Sequence, residues 1–459
     1  MRVKHQSRLS VAKRCIASYL LIFYAQSAFA LDLMSAYDKA LANDPIFRSA
    51  IKENEGAQAN RVIGRAALMP QIGASYYTAS NNSKIAGPQY TNGPNVITNK
   101  AYPSNNASVQ LTQPIFSLDA LARYRQGMAQ GDVGSAKFLY QSQDLLVRVL
   151  QAYTDLLNAL DQLGFLTAQR DSYLEQYKAN LHLYEKGEGT ITDALETKAV
   201  YEIGESQVID AKNAVENAKR KLEDLTGDSI RKVSDVRPLL NNFRTLMLSP
   251  NSFDDWRDIA LNSNPEIQLM HAQLEVARQE YKKNYAAHMP VISAVASWGQ
   301  QNSYYISTIN QNAVTSSIGI QATLPIFSGG ETTGKSYQAL VGIEKAQADA
   351  DATRDRVITE LRKQYDLVVS SRAKIDALNR AVESAKELTK AMRKSVAGGV
   401  RINLDILVAD KGFASSQRDL AQAKYAYLLA VMKLKQQAGN LTLEDLERAA
   451  AFFKRDANG

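Results

Sequence analysis

Gly329-Gly330-Glu331-Thr332-Thr333-Gly334-Lys335-Ser336 matches a complete phosphate-binding loop, with glycines that let backbone amides close on an anion and a lysine that reaches its outer phosphates. The segment follows an expected strand and opens an expected helix. Ile406-Leu407-Val408-Ala409-Asp410 has the texture of a magnesium-binding partner. Two features argue that the match is fortuitous. The preceding strand is amphipathic, with Ile318, Ile320, Ala322 and Leu324 alternating with Gly319, Gln321 and Thr323, whereas a nucleotide-binding parallel strand is apolar on both faces. Asp410 also falls on an expected helix just past a turn. The reading is therefore no cofactor and no enzyme.

Other reactive side chains are sparse. His182, His271 and His288 have neither metal-ligand spacing nor a neighbouring nucleophile, and read as surface or packed helix residues. Asp193 stands six positions after Gly187 and Asp405 six after Gly399, with Arg401 between the second pair. An acid at such a place is favoured by the start of a helix in any case. Across two neighbouring turns the same charges suit a charge-assisted latch.

These turns belong to a duplication. Asn43-Asp44-Pro45 and Met69-Pro70 return as Ser263-Asn264-Pro265 and Met289-Pro290, and Pro114-Ile115-Phe116-Ser117 returns as Pro325-Ile326-Phe327-Ser328. One supersecondary unit is used twice. The counterpart of the phosphate-loop match, Ser117-Leu118-Asp119-Ala120-Leu121, holds no glycine loop.

At the N-terminus, Arg2, Lys4, Arg8, Lys13 and Arg14 precede an apolar run from Ile16 to Ala25 and then Ala28-Phe29-Ala30, the pattern of a secretory signal peptide over residues 1–30. Cys15, the single cysteine, lies ahead of that apolar run, where no lipid-anchor cysteine would be. Without those five basic residues the formal charge falls from +7 to +2, so the balance gives no reason to expect nucleic acid.

No proline occurs between Pro114 and Pro238 or after Pro325, which leaves two long stretches free to be helical. Apolar spacings of three and four, at Leu145, Val149, Tyr153, Leu156, Leu160 and Leu163 and at Val357, Leu361, Tyr365, Val368, Ile375 and Leu378, mark them as helices. Each is broken once, at Gly187 or Gly399, which predicts a helix of about 70 residues and a return helix of about 35, the long arm reaching about 100 Å. Period-two alternation at Ile72, Ala74, Tyr76 and Thr78, at Val109 and Leu111, at Ile292, Ala294, Ala296 and Trp298, and at Ile318, Ile320, Ala322 and Leu324 predicts four strands of about ten residues. The Asn-, Gly- and Ser-rich segments 81–106 and 300–312 read as their loops, and Tyr76, Tyr77, Phe116, Trp298, Tyr304, Tyr305 and Phe327 as aromatic rims.

The organisation expected is a first repeat over 31–226, with a β-hairpin at about 70–116 and a helical turn at 187–192; a linker over 227–255; a second repeat over 256–438, with a β-hairpin at about 290–327 and a turn at 398–403; and a C-terminal segment over 439–459. Ten-residue strands with one apolar face suit a membrane, but four cannot close a barrel, and open edges are not tolerated in lipid. Several copies of the chain are implied.

Duplicated helix-strand-strand-helix units, Pro-Ile-Phe-Ser after each second strand and Gly-x5-Asp turns together resemble the TolC family of outer-membrane export channels, over essentially the whole chain after residue 30. In that family a Gly-Gly after Pro-Ile-Phe-Ser is common. The resemblance implies an α+β membrane protein: a homotrimer whose four strands per subunit make a twelve-stranded barrel, continued by a long periplasmic helical barrel. It implies a periplasmic gate at Asp193 and Arg401, an acidic ring at Asp405, and docking of an adaptor protein at the tips around Gly187, Gly189, Gly398 and Gly399. The family's tyrosine three residues before the second glycine is Val396 here. The function implied is a passive duct in the outer membrane of a Gram-negative bacterium, serving an inner-membrane ABC transporter, a periplasmic adaptor and secreted protein cargo in type I secretion. The alternatives are an efflux duct for drugs and, from another class, a non-pore periplasmic coiled-coil protein. The four amphipathic strands discriminate against the last.

Overall fold

The computed structural model describes residues 32–88, 93–230, 236–240, 243–246, 248–304, 310–401 and 403–453. The signal-peptide segment, Cys15 and Tyr305 lie outside them. Helices account for most of the chain, and with one antiparallel sheet make an α+β protein. The elements are α1 (Leu33–Asn43), α2 (Pro45–Ala66), β1 (Gln71–Pro88), β2 (Asn95–Phe116), α3 (Leu118–Glu185), α4 (Ile191–Thr226), α5 (Phe253–Ser263), α6 (Pro265–Ala286), β3 (Val291–Tyr304), β4 (Asn310–Thr323), α7 (Glu331–Ala397), α8 (Asn403–Ala438) and α9 (Leu443–Ala450). The long helices have 68 and 67 residues and their return helices 36 each.

The backbone forms two compact units, neither of which coincides with one repeat. Among the described residues, one comprises 49–141 and 259–359, the other 32–48, 142–258 and 360–453.

In the first of these units the strands pair in the order β1-β2-β3-β4. Residues opposite one another in a sheet share a face, so the register aligns Ile72, Leu111, Ala296 and Ile318 in one row and Ala74, Val109 and Trp298 in the next. The intervening rows are polar, with hydroxyl pairs Ser75–Ser108 and Ser297–Ser317 at 2.8 Å. The strands are longer than their apolar stretches, at 18, 22, 14 and 14 residues. The residues read as loop at 81–88 and 95–106 continue the ladder, where Thr78 donates to Asn105 and Asn81 to Ser104. Composition misleads there because ladder bonds are backbone bonds and need only an uninterrupted partner. The two Pro-Ile-Phe-Ser segments differ. β2 runs to Phe116 through a register shift at Pro114, whereas β4 stops at Thr323, ahead of Pro325.

In the same unit α2 lies very close to α3. A Cβ at Gly127 would sit 2.3 Å from the Asn60 carbonyl oxygen, and one at Gly64 2.8 Å from that of Arg123. Only glycine permits that approach. From the position before Gly127 on α3, Gln126 donates to Glu280 of α6 at 2.8 Å.

The other unit carries the larger core. Leu145, Val149, Leu150, Tyr153 and Leu156 of α3 are buried, as are Val215 and Leu222 of α4, Leu361, Val368 and Ile375 of α7, and Tyr427, Leu428 and Leu434 of α8. The stretches around 230–258 and 439–453 contribute Trp256, whose indole donates to the Pro250 carbonyl at 2.8 Å, and Phe453, edge-on to Tyr153 at 5.3 Å. Burial pushes the Tyr153 phenol well above its usual pKa, so it stays a neutral hydrogen-bonding group, donating to the Arg237 carbonyl and accepting from the Arg237 amide.

Candidate functional site

The two helical tips are built alike. At the first, Gly187 adopts φ +77°, its N–H bonds the Tyr184 carbonyl, and the Glu188 N–H bonds the Leu183 carbonyl. At the second, Gly399 adopts φ +72°, its N–H bonds the Val396 carbonyl, and the Val400 N–H bonds the Ser395 carbonyl. Both are Schellman terminations, which need a left-handed residue that glycine supplies without strain. At the second tip Val396 takes part through its backbone, whatever its side chain. Gly189 is held tight as well, since a Cβ there would lie 3.1 Å from that of Leu183. A Cβ at Gly398 would meet nothing nearer than 3.6 Å.

The charged residues then follow. Thr190 caps α4, its hydroxyl accepting from the Asp193 N–H at 3.2 Å. The Asp193 carbonyl accepts from Thr197 and from Asn180 of α3. Asp193 is thus a first-turn acid whose backbone ties the hairpin together. Its carboxylate is exposed and, among the described residues, makes no ion pair. Arg401 instead faces Asp405 within its own turn, at 3.7 Å. The expected Asp193–Arg401 latch is therefore not formed inside one protomer, and both charges remain presented at the tips.

A further carboxylate lies deeper. Asp410 of α8, its side chain only 9% exposed, accepts from Ser172 of α3 at 2.5 Å and from Arg393 of α7 at 3.1 and 3.2 Å. The sequence contained a clue to it, an acid closing the apolar run 406–409. Beside it opens a cavity of about 800 Å3, lined by Gln169, Tyr173, Ile203, Gly204, Leu407 and Lys411. Burial, reinforced by the charge of Asp410, raises the Tyr173 phenol pKa, and Gln169 donates to its oxygen at 2.6 Å.

The phosphate-loop match has another setting. It follows the edge strand of an antiparallel sheet, Ile318 and Ile320 on that strand are 89% and 74% exposed, and Lys335 is paired with Glu331 one turn away at 2.5 Å. His182 lies on α3, His271 on α6 and His288 just beyond it. Among the described residues no group of three metal-binding side chains occurs, and no helix is long and apolar enough to cross a membrane.

Residues 36–228 and 256–440 match the family described as outer membrane efflux protein, once for each repeat. The chain belongs to this family. It is 41% identical over 433 residues to the alkaline protease secretion protein AprF of Pseudomonas aeruginosa, covering 94% of this chain and 89% of that one. It is 33% identical over 443 residues to the proteases secretion protein PrtF of Dickeya chrysanthemi, with 96% and 95% covered. With the outer membrane protein TolC of Escherichia coli it shares 25% over 431 residues, 90% and 83% of the two chains. The fold is that of the Campylobacter jejuni CmeC outer membrane channel, with a TM-score of 0.78 at 19% identity over 92% and 89% of the chains. As an outer membrane efflux protein the chain is a channel component of the outer membrane with a periplasmic helical extension. That family leaves no place for the non-pore coiled-coil reading.

Proposed function

We propose that this protein is the outer-membrane channel-tunnel of a type I secretion system, a passive exit duct for proteins driven by an inner-membrane ABC transporter through a periplasmic adaptor. The observation that carries the reading is the 41% identity, over 94% of the chain, to a protease secretion protein. Three protomers each contribute four strands to a twelve-stranded barrel. The free edges of β1 and β4 support this, because a sheet crossing lipid must close, and so does the apolar row Ile72, Leu111, Ala296 and Ile318 facing one side.

At the periplasmic end Asp193, Arg401 and Asp405 gate the duct, the unpaired carboxylate of one protomer meeting the guanidinium of another. Gly187, Gly189, Gly398 and Gly399 shape the tips on which the adaptor docks. The test is quantitative proteomics of culture medium from a deletion strain against its complemented parent. Selective loss of one or a few secreted proteins is expected. An unchanged set, with increased drug susceptibility, would replace protein export by small-molecule efflux.

A further inference from the structure

We propose that Asp410 is a positioning residue at the centre of a second, intraprotomer clamp, distinct from the charges at the tips, which must be released whenever the duct opens. The proposal rests on the reading of the protein as a gated duct.

Asp410 lies eight positions into α8, beyond the first turn, so the helix-start role open to Asp193 and Asp405 does not apply to it. Leu407 and Ala409 beside it are buried, and its own carboxylate is withdrawn from water. A carboxylate in that position needs a charged partner and filled lone pairs. Arg393 supplies the charge, from the other arm of the same hairpin. Ser172 supplies the second bond from α3, in the hairpin of the first repeat, 238 residues away in sequence.

The two bonds are unequal in what they restrain. Arg393–Asp410 holds α7 to α8 and survives any movement of that hairpin as a body. So does Arg401–Asp405, which is confined to one turn. Ser172–Asp410 joins the two hairpins, and a displacement of one against the other must break it. A short hydrogen bond to a carboxylate is of the stronger kind, and this one is part-buried. Arg393, with a side chain 58% exposed, leaves the carboxylate compensated when Ser172 departs. The clamp can thus open without stranding a buried charge.

The experiment is planar-bilayer recording of the full-length trimer with Ser172→Ala and Asp410→Ala, each checked for an intact detergent-resistant trimer. Loss of one charge-assisted bond should shift the open–closed ratio about tenfold toward open, with Asp410→Asn between parent and Asp410→Ala. Parental gating in both alanine trimers would overturn the clamp. A second variant, Ser172→Cys/Asp410→Cys, exploits the lack of any cysteine after Cys15. Bridging the pair with dibromobimane should leave the trimer assembled, hold it at parental low conductance and stop release of cargo. Undiminished export through fully bridged protein would also overturn the proposal. A parent trimer that forms no channel would instead overturn the duct reading, and the clamp with it.

Discussion

At the joint between the two helices that open each repeat, the first copy places Asp44 and the second Asn264, each followed by a proline. Asn264 accepts from the amides of Glu266 and Ile267 and so caps α6. Asp44 accepts from the Phe47 amide and also from Arg148 of α3 at 2.6 Å, so in the first copy the capping residue itself takes the charged partner, whereas in the second Arg356 of α7 pairs with Glu266, two positions further on. The glycines diverge likewise. Gly131 has the Arg61 side chain 2.4 Å from where its Cβ would be, while Gly342, its counterpart 211 positions on, has nothing within 4 Å. The tips share one backbone geometry, yet only the second carries an arginine beside its glycine. Capping side chain, proline and left-handed glycine recur because the backbone path requires them. Charge and close approach were free to differ, and their differences separate a face closed within the protomer from one left open.

The comparison breaks most sharply at the glycines. Gly127→Ala drives a methyl group into the backbone of α2, which cannot yield as a flexible side chain does, and should destabilise the folded protein by about 3 kcal/mol. Gly342→Ala meets no atom of its own protomer and should gain about 0.5–1 kcal/mol from helix propensity. Thermal melting of the detergent-solubilised protein checks both. A Gly342→Ala variant as damaged as Gly127→Ala would mean that another subunit presses on that open face of α7.

At the joints, Asp44→Ala should cost about 2–3 kcal/mol, since a buried cap and a charged hydrogen bond are lost together, and Asn264→Ala about 1 kcal/mol. Burial by itself would raise the Asp44 carboxyl. The hydrogen bond and charge of Arg148, with the amides of Phe47 and Ile46, outweigh it and hold the pKa below the usual value. A depressed folded pKa contributes stability that is present above the unfolded value of about 3.9 and is lost as pH falls through the folded one. Melting curves below about pH 4 should therefore be flatter for Asp44→Asn, which keeps the cap without the charge, than for the parent. Equal slopes would remove the electrostatic role of Asp44.

Smaller effects on stability are expected at the tips, where Asp193→Ala and Arg401→Ala each change melting by no more than about 0.5 kcal/mol, as exposed surface positions do. Both should nonetheless raise ion conductance in planar bilayers. Unchanged conductance in both would leave Asp193 as a first-turn acid and Arg401 as the neighbour of Asp405.

Long helices and their turns were legible because proline is absent where it would break them and glycine is present where only a left-handed residue ends them. Strand positions were legible through Ile72, Val109, Trp298 and Ile318, but strand ends were not. Asn81, Asn82, Asn105 and Asn106 are turn formers by type, and nothing local signals that a paired ladder will hold them extended. Asp193, Arg401 and Asp405 were legible as charges beside turns, while the closing of Arg401 on Asp405 in place of Asp193 was not, because a bond between the two hairpins depends on their stagger. The Ser172–Asp410 bond was invisible for the same reason. Asp410 itself attracted notice only through the phosphate-loop pattern.

That pattern supplies the smallest expected effect. Lys335 and Glu331 are one helical turn apart, and their side chains are 59% and 66% exposed. An ion pair so open to water is screened and contributes little. The hydrogen bond and charge of Lys335 lower the Glu331 carboxyl pKa, so the lysine has a partner of its own at the helix start. Gly329 and Gly330, at φ +63° and +86°, answer a need of the chain to turn from the sheet edge into α7, which accounts for them without an anion. Lys335→Ala should accordingly leave melting, trimer yield and cargo release at parental levels. Calorimetric titration of the purified parent with ATP and magnesium should show no binding heat. A measurable heat abolished by Lys335→Ala would restore the loop as a nucleotide site, and would give the second repeat a chemistry that the first lacks.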